Sequence, residues 1–294
     1  MIIVITGPTS VGKTKLSIAI AKKMKGEIIN ADSTQIYKGL DIATAKINKD
    51  EMEGINHHLF DIKEITENYT VFDYQKDSRQ VIDKLLKQNI TPILVGGTGL
   101  YIKACLYDYK FNDEIITNQY DNLTNEEIYE QLIKLDPNNI IHKNNRQRLI
   151  RAINYCQIYK TPFSSKEKTD KLLYDVVFIG LTTPRDILYE RINKRVDVMV
   201  NKGLLNEALA IYNSSIRTKA VLTPIGYKEL FPYFENKDTL DNCLEIIKKN
   251  SRKYAKRQYT WFNNQMNIKW FNVDFNHFDK TIDSVFEYIK KANF

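Results

Sequence analysis

The sequence predicts an α/β fold: a P-loop NTPase-like parallel sheet with helices on both faces, interrupted by a mainly helical insertion. Three observations predict it. Strand and helix patterns alternate through the first third of the chain, and the strands are apolar throughout, as expected for a sheet covered on both faces. A glycine loop, Gly7-Pro8-Thr9-Ser10-Val11-Gly12-Lys13-Thr14, sits between the first strand and the first helix. After about Tyr107 the texture turns polar and asparagine-rich, and no strong strand occurs until Val176.

The elements follow in order. Residues 2–6 form a continuous β-branched run. Residues 13–24 carry Leu16, Ile20, Ala21 and Met24 at helical spacing. Residues 27–30 read as a second strand, 72–86 as a helix with Val81, Ile82, Leu85 and Leu86, and 91–95 as a third buried strand ending in Gly96-Gly97. Thr124-Asn125-Glu126-Glu127 resembles a capping box, opening a helix with Ile128, Leu132 and Leu135. A helix over 146–158 and a strand over 176–180 follow. After Thr183-Pro184 the chain reads as helices to about Asn264, then an edge strand at 268–273 and a helix at 282–291. Residues 1–107 and 146–294 thus make the core, and about 108–145 the insertion.

A chain of 294 residues, 43% hydrophobic and 27% charged, is neither disordered nor fibrous. It has no run of about 18 apolar residues, so no membrane span is expected. The N-terminal apolar run is too short for a signal peptide. Three scattered cysteines suggest neither a disulfide framework nor a zinc site, which fits the cytoplasm. The net charge of +7 suggests a polyanionic partner.

The glycine loop matches G-x-x-x-x-G-K-[ST] in its required context. Its backbone N–H groups curl inward, and the dipole of the following helix adds positive potential. Lys13 supplies a point charge, and the Thr14 hydroxyl can hold Mg²⁺, the cofactor expected here. The site takes a di- or triphosphate. A nucleoside triphosphatase should also end a second strand in a metal-positioning aspartate. The third strand ends instead in Gly96-Gly97-Thr98-Gly99-Leu100-Tyr101, and the well-placed early acid is Asp32, in Asp32-Ser33-Thr34-Gln35. On pattern alone, a turn or capping residue is the favoured reading of Asp32.

Residues 248–257 hold Lys248, Lys249, Arg252, Lys253, Lys256 and Arg257 without an acid. Lys249, Lys253, Lys256 and Arg257 share one helical side, and Ile247, Tyr254, Ala255, Gln258 and Trp261 another. With Tyr259, Trp261 and Phe262 adjacent, a surface that tracks an RNA backbone and stacks bases is favoured over a solvated lysine face. Arg146-Gln147-Arg148 with Arg151 form a second basic cluster. His57-His58 has no partners spaced for a metal and reads as a packing or hydrogen-bonding pair.

The chain resembles the tRNA dimethylallyltransferase (IPP transferase) family. The resemblance rests on GPTSVGKT (7–14), ADSTQIYKGLDIATAK (31–46), NHHLFDI (56–62), LVGGTGLYIKA (94–104), NRQRLIRAI (145–153), LYERINKRVDVMV (188–200), IGYKEL (225–230) and YAKRQYTWF (254–262), in family order. It implies transfer of a dimethylallyl group from its diphosphate to the exocyclic amine of the adenosine 3′ of the anticodon, in tRNAs reading codons that start with U. The partners implied are dimethylallyl diphosphate and the tRNA anticodon stem-loop, and a monomer is expected. Asp32 takes the family's general-base position, and Thr98 that of the partner orienting the amine or bridging oxygen. Ser33, Thr34 and Gln35 fall where the adenine is read. Arg191 and Arg195, at i and i+4, either close over the diphosphate or pair with Glu190 and Asp197 on a solvated face. The family implies tRNA contact for Gln147, Arg148, Leu149, Ile150 and Arg151, and for Lys256, Arg257, Gln258, Tyr259, Thr260, Trp261, Phe262 and Asn263. Asn145, Asn154 and Asn263 depart from the usual aspartate, glutamate and arginine. Rival readings are an adenylate isopentenyltransferase acting on free nucleotide, a small-molecule P-loop kinase and a non-catalytic RNA-binding P-loop protein.

Overall fold

The structure, a computed structural model, describes residues 1–111, 119–166 and 171–292. The chain divides into two compact units, Met1–Tyr107 with Leu172–Phe294, and Asp108–Lys171.

The first unit is built on a six-stranded parallel sheet of β1 (Ile2–Thr6), β2 (Gly26–Asn30), β3 (His57–His58), β4 (Thr91–Val95), β5 (Val176–Thr182) and β6 (Lys269–Asn272), in the order β3-β2-β4-β1-β5-β6. β1 lies at its centre, with Ile3 beside Ile93 of β4 and Val177 of β5. Side chains alternate across a strand, so a strand apolar at every position is buried on both faces. Ile2 and Val4 join one core with Ile29, Leu94, Tyr74 and Ile102, while Ile3 and Ile5 join the other with Leu16, Ile20, Val285 and Ile289. Around the sheet lie α1 (Lys13–Met24), α2 (Val71–Lys87) and α3 (Gly99–Leu106).

The second unit holds α4 (Asn125–Leu135) and α5 (Arg146–Tyr159). The Thr124–Glu127 capping box forms, each side chain satisfying the other's backbone N–H. Ile128 and Leu132 of α4 pack with Leu149, Ala152, Ile153 and Cys156 of α5. That packing corrects the expected boundary: the unit runs to Lys171 rather than ending at 145, because the apolar face of α5 completes its core. Residues 112–118, within the expected insertion, lie outside the described residues.

The chain returns to the first unit ahead of β5 and continues through α6 (Arg185–Asn201), α7 (Leu204–Asn213), α8 (Lys219–Leu222), α9 (Phe231–Phe234), the long α10 (Leu240–Gln265) and, after β6, α11 (Phe278–Ala292). Among the described residues, no helix is long and apolar enough to cross a membrane.

Candidate active site

Parallel strands deliver their following loops to one sheet edge, and the site lies there. Three loops interlock. Gly96 N–H donates to Ile5 O at 3.3 Å, and Thr6 Oγ1 to Gly96 O at 2.9 Å. Ala31 N–H donates to Val95 O at 2.8 Å, and Thr98 N–H to Ala31 O at 3.1 Å. The loop after β4 is therefore tied both to the end of β1 and to the loop after β2.

These loops, with α6 and α10, enclose a cavity of about 960 Å³. It is lined by the phosphate loop, by Asp32, Ser33, Thr34 and Gln35, by Thr98, and by Arg191 and Arg195. Trp261 and Tyr254 complete one wall; nothing in the sequence pattern distinguished Tyr254 from a core residue. Asp32 Oδ1 accepts the Thr34 N–H at 3.0 Å and the Thr34 hydroxyl at 2.7 Å, which fixes its carboxylate at the mouth of β2. Thr98 Oγ1 accepts the Ser33 N–H at 3.1 Å and donates to Ser33 Oγ at 3.3 Å. Gln35 Nε2 donates to Thr44 O at 3.0 Å and to Ala45 O at 3.3 Å. Its amide orientation is thereby set, and Oε1 is left as the acceptor.

The phosphate loop is strongly basic. Lys13 Nζ donates to the carbonyls of Gly7 at 3.0 Å and Pro8 at 2.7 Å. Burial of the ammonium, then repulsion from Arg195, pulls the Lys13 pKa down to about 7, against the attraction of Asp32. Arg195 Nη1 donates to Thr9 Oγ1 at 3.0 Å, and Arg191 Nε to Ser10 O at 3.0 Å. The two arginines thus close on the loop. Asp197, their alternative partner, pairs with Lys248 at 3.1 Å. Ser10 Oγ is buried without a hydrogen-bond partner. An orphaned hydroxyl and three basic side chains thus converge at a helix N-terminus, an arrangement chemically suited to an anion.

α10 presses directly onto the glycines after β4. A Cβ on Gly97 would lie 2.0 Å from Gln258 Nε2, and one on Gly99 would lie 2.0 Å from the Trp261 ring. Only glycine allows this approach.

The comparisons with known proteins agree with this geometry. A family model described as IPP transferase matches residues 35–265. The chain belongs to the IPP transferase family. It is 45% identical to a tRNA dimethylallyltransferase of Anoxybacillus flavithermus, covering 98% of this chain and 96% of the relative. It is 46% identical to that of Geobacillus thermodenitrificans at the same coverage. Among solved structures it is similar to the full-length tRNA isopentenylpyrophosphate transferase of Bacillus halodurans, at 40% identity, a TM-score of 0.77 and coverage of 99% and 96%. It is also similar to a eukaryotic dimethylallyltransferase acting on tRNA, at 29% identity, a TM-score of 0.84 and coverage of 97% and 77%.

Burial sorts the residues expected to contact tRNA. Gln258 is 5% exposed, although it lines the cavity, and Phe262 and Leu149 are fully buried, so all three side chains turn inward. Gln258 ties loops together, Phe262 fills the first unit's core, and Leu149 fills that of the second. Tyr259 shares a hydrogen bond with Thr182 Oγ1 at 2.8 Å and packs on Trp270, which commits it to the sheet. Trp261 gives one face to Gly99. Lys256, Arg257, Thr260 and Asn263 remain exposed, as do Gln147, Arg148 and Arg151 on α5; Ile150 is half-buried. Lys256, Arg257, Thr260 and Trp261 line a shallow groove of about 340 Å³ with Asn264 and Gln265.

The basic clusters divide likewise. Lys248 is held by Asp197 and Glu245, and Arg252 by Asn193 Oδ1 at 2.6 Å. Lys249, Lys253, Lys256 and Arg257 stand exposed along one side of α10. Arg146 donates to Tyr120 O, to Leu123 O at 2.7 Å and to Asn125 Oδ1 at 3.1 Å, so it braces the second unit. His57 Nδ1 lies 2.8 Å from Ile55 O, and His58 Nε2 lies 2.7 Å from Glu27 Oε2. The histidine pair has the hydrogen-bonding role expected of it.

Proposed function

We propose that this chain is a tRNA dimethylallyltransferase, in which the phosphate loop holds the diphosphate of dimethylallyl diphosphate and Asp32 receives the amine proton. The observation that carries the reading is the single cavity in which an anion cradle, a fixed carboxylate and Thr98 converge. The adenine amine is a poor nucleophile because its lone pair is delocalised into the ring. Asp32 accepts its proton as the nitrogen–carbon bond forms at C1 of the dimethylallyl group. The C1–oxygen bond breaks, and diphosphate leaves with the electron pair. Lys13, Arg191, Arg195 and the loop N–H groups stabilise that developing charge. Thr98 and Ser33 orient the reacting groups, and Gln35 Oε1 accepts from the base. The adenine must leave its stack to enter the cavity.

Among the described residues no cluster of three acidic, histidine or cysteine side chains could cage a metal. One hydroxyl with phosphate oxygens and waters is instead a donor set suited to Mg²⁺. Thr14 would supply that hydroxyl, and the ion would add charge neutralisation at the leaving group. The tRNA is held by the exposed cations of α10 and by Gln147, Arg148 and Arg151. The described cavity-lining residues all belong to the first unit. Cys105, Cys156 and Cys243 are free thiols, as suits the cytoplasm.

The test mixes protein, labelled dimethylallyl diphosphate and unmodified tRNA, with Mg²⁺ or with chelator. Label is expected in tRNA, with faster transfer in Mg²⁺. Label in free adenylate but not tRNA would favour the nucleotide enzyme, and phosphoryl transfer from ATP the kinase.

A further inference from the structure

The turn between β6 and α11 belongs to neither the phosphate loop nor the RNA surface, yet it touches the donor site at two aromatic points. Asp274 shapes it: Oδ1 accepts the N–H groups of Asn276 and His277, each at 3.0 Å, and its own N–H donates to Thr281 Oγ1 at 3.2 Å. That turn sets Phe275 and Phe278 on the phosphate-loop side. Phe278 is buried under Gly12, whose added Cβ would lie 2.8 Å from the ring, and Lys15 Nζ lies 4.8 Å from its centroid. Phe275 is half-buried, and the Arg191 guanidinium carbon lies 3.7 Å from its centroid.

We propose that Phe275 is a positioning residue for donor binding, holding the Arg191 guanidinium against the phosphate loop. Arg191 itself is exposed, and its Nε donates to Ser10 O of the loop. An exposed arginine loses rotamer freedom when it captures an anion. Stacking on Phe275 orders the planar group beforehand through guanidinium–aromatic contact. With Nε committed to Ser10, the Nη groups remain for the diphosphate.

This inference rests on the assignment of Arg191 to the diphosphate, and the test separates the two. The KM for dimethylallyl diphosphate is measured at saturating tRNA for F275L, F275Y, R191A and the F275L/R191A double variant. F275L keeps apolar volume and removes the ring; it is expected to raise the donor KM about threefold to tenfold, leaving the tRNA KM and thermal midpoint unchanged. F275Y is expected to keep wild-type values. In the R191A background F275L is expected to add nothing. The inference is overturned if R191A weakens donor binding but F275L does not, if F275L is equally harmful without Arg191, or if both KM values and the midpoint shift together. An R191A variant with an unchanged donor KM overturns the Arg191 assignment itself.

Discussion

Gln258 Nε2 donates to Gly97 O at 3.1 Å. The same side chain accepts the Thr9 N–H at 3.0 Å through Oε1. One buried amide on α10 therefore joins the phosphate loop to the loop that carries Thr98, with both ends used.

Replacing Gln258 with alanine leaves the buried Gly97 carbonyl and the part-buried Thr9 N–H without this partner, at about 1–3 kcal/mol. Both loops lose their common brace. The Q258A variant is expected to melt earlier and to show a raised KM for dimethylallyl diphosphate. Calorimetry and steady-state kinetics check this; unchanged values in both would remove Gln258 from the site's architecture.

Lys13 supplies a pH signature. Its pKa in the free protein, about 7, lies below that of an ordinary lysine because of burial and Arg195. A bound diphosphate supplies opposite charge and raises it, so above about pH 7 binding takes up a proton. Donor affinity is expected to fall as pH rises from there, by up to about tenfold per unit. Below that value Lys13 is already charged and adds no slope. Titration calorimetry across this range is the check. K13A should bind weakly and lose the slope, and a flat wild-type profile would contradict the assignment.

The two anion sites should respond differently to salt. Exposed Lys256 and Arg257 meet a long phosphate backbone, where binding releases counterions. Changing each to glutamine is expected to weaken tRNA binding and to lower the logarithmic salt slope by about 1 per residue. Donor affinity should hardly change. Equal losses for both substrates would mean that the α10 face serves the cavity rather than the RNA.

Much of this was legible in the sequence. α1 and the strands β1 and β4 fall at the residues that apolar periodicity marks, because each is strongly patterned and flanked by glycine or a cap. β3 was not, since two histidines carry no periodic signal and pair only because Ile28 and Ile29 lie alongside. The end of the inserted unit was misplaced because periodicity finds the apolar face of α5 but not its partner on α4. In the site, the phosphate loop stands out by motif, and Asp32 only through the family resemblance. The inward turn of Gln258 and Phe262 does not, since both lie in a helix whose cations dominate the pattern. Lys248 and Arg252 counted as free charge until tertiary contacts gave them Asp197 and Asn193. The Phe275–Arg191 stack joins residues far apart in sequence, and nothing local marks it.

The central claim is that Asp32 takes the amine proton while other groups hold both substrates. Single-turnover transfer by D32N, measured with separate tRNA and dimethylallyl diphosphate binding, tests it most directly. The amide keeps the shape of the carboxylate but is a far poorer proton acceptor. Transfer is expected to slow by about 10²–10⁴-fold with both affinities near wild type. Wild-type transfer by D32N, or a loss of tRNA binding as large as the loss of transfer, would contradict it.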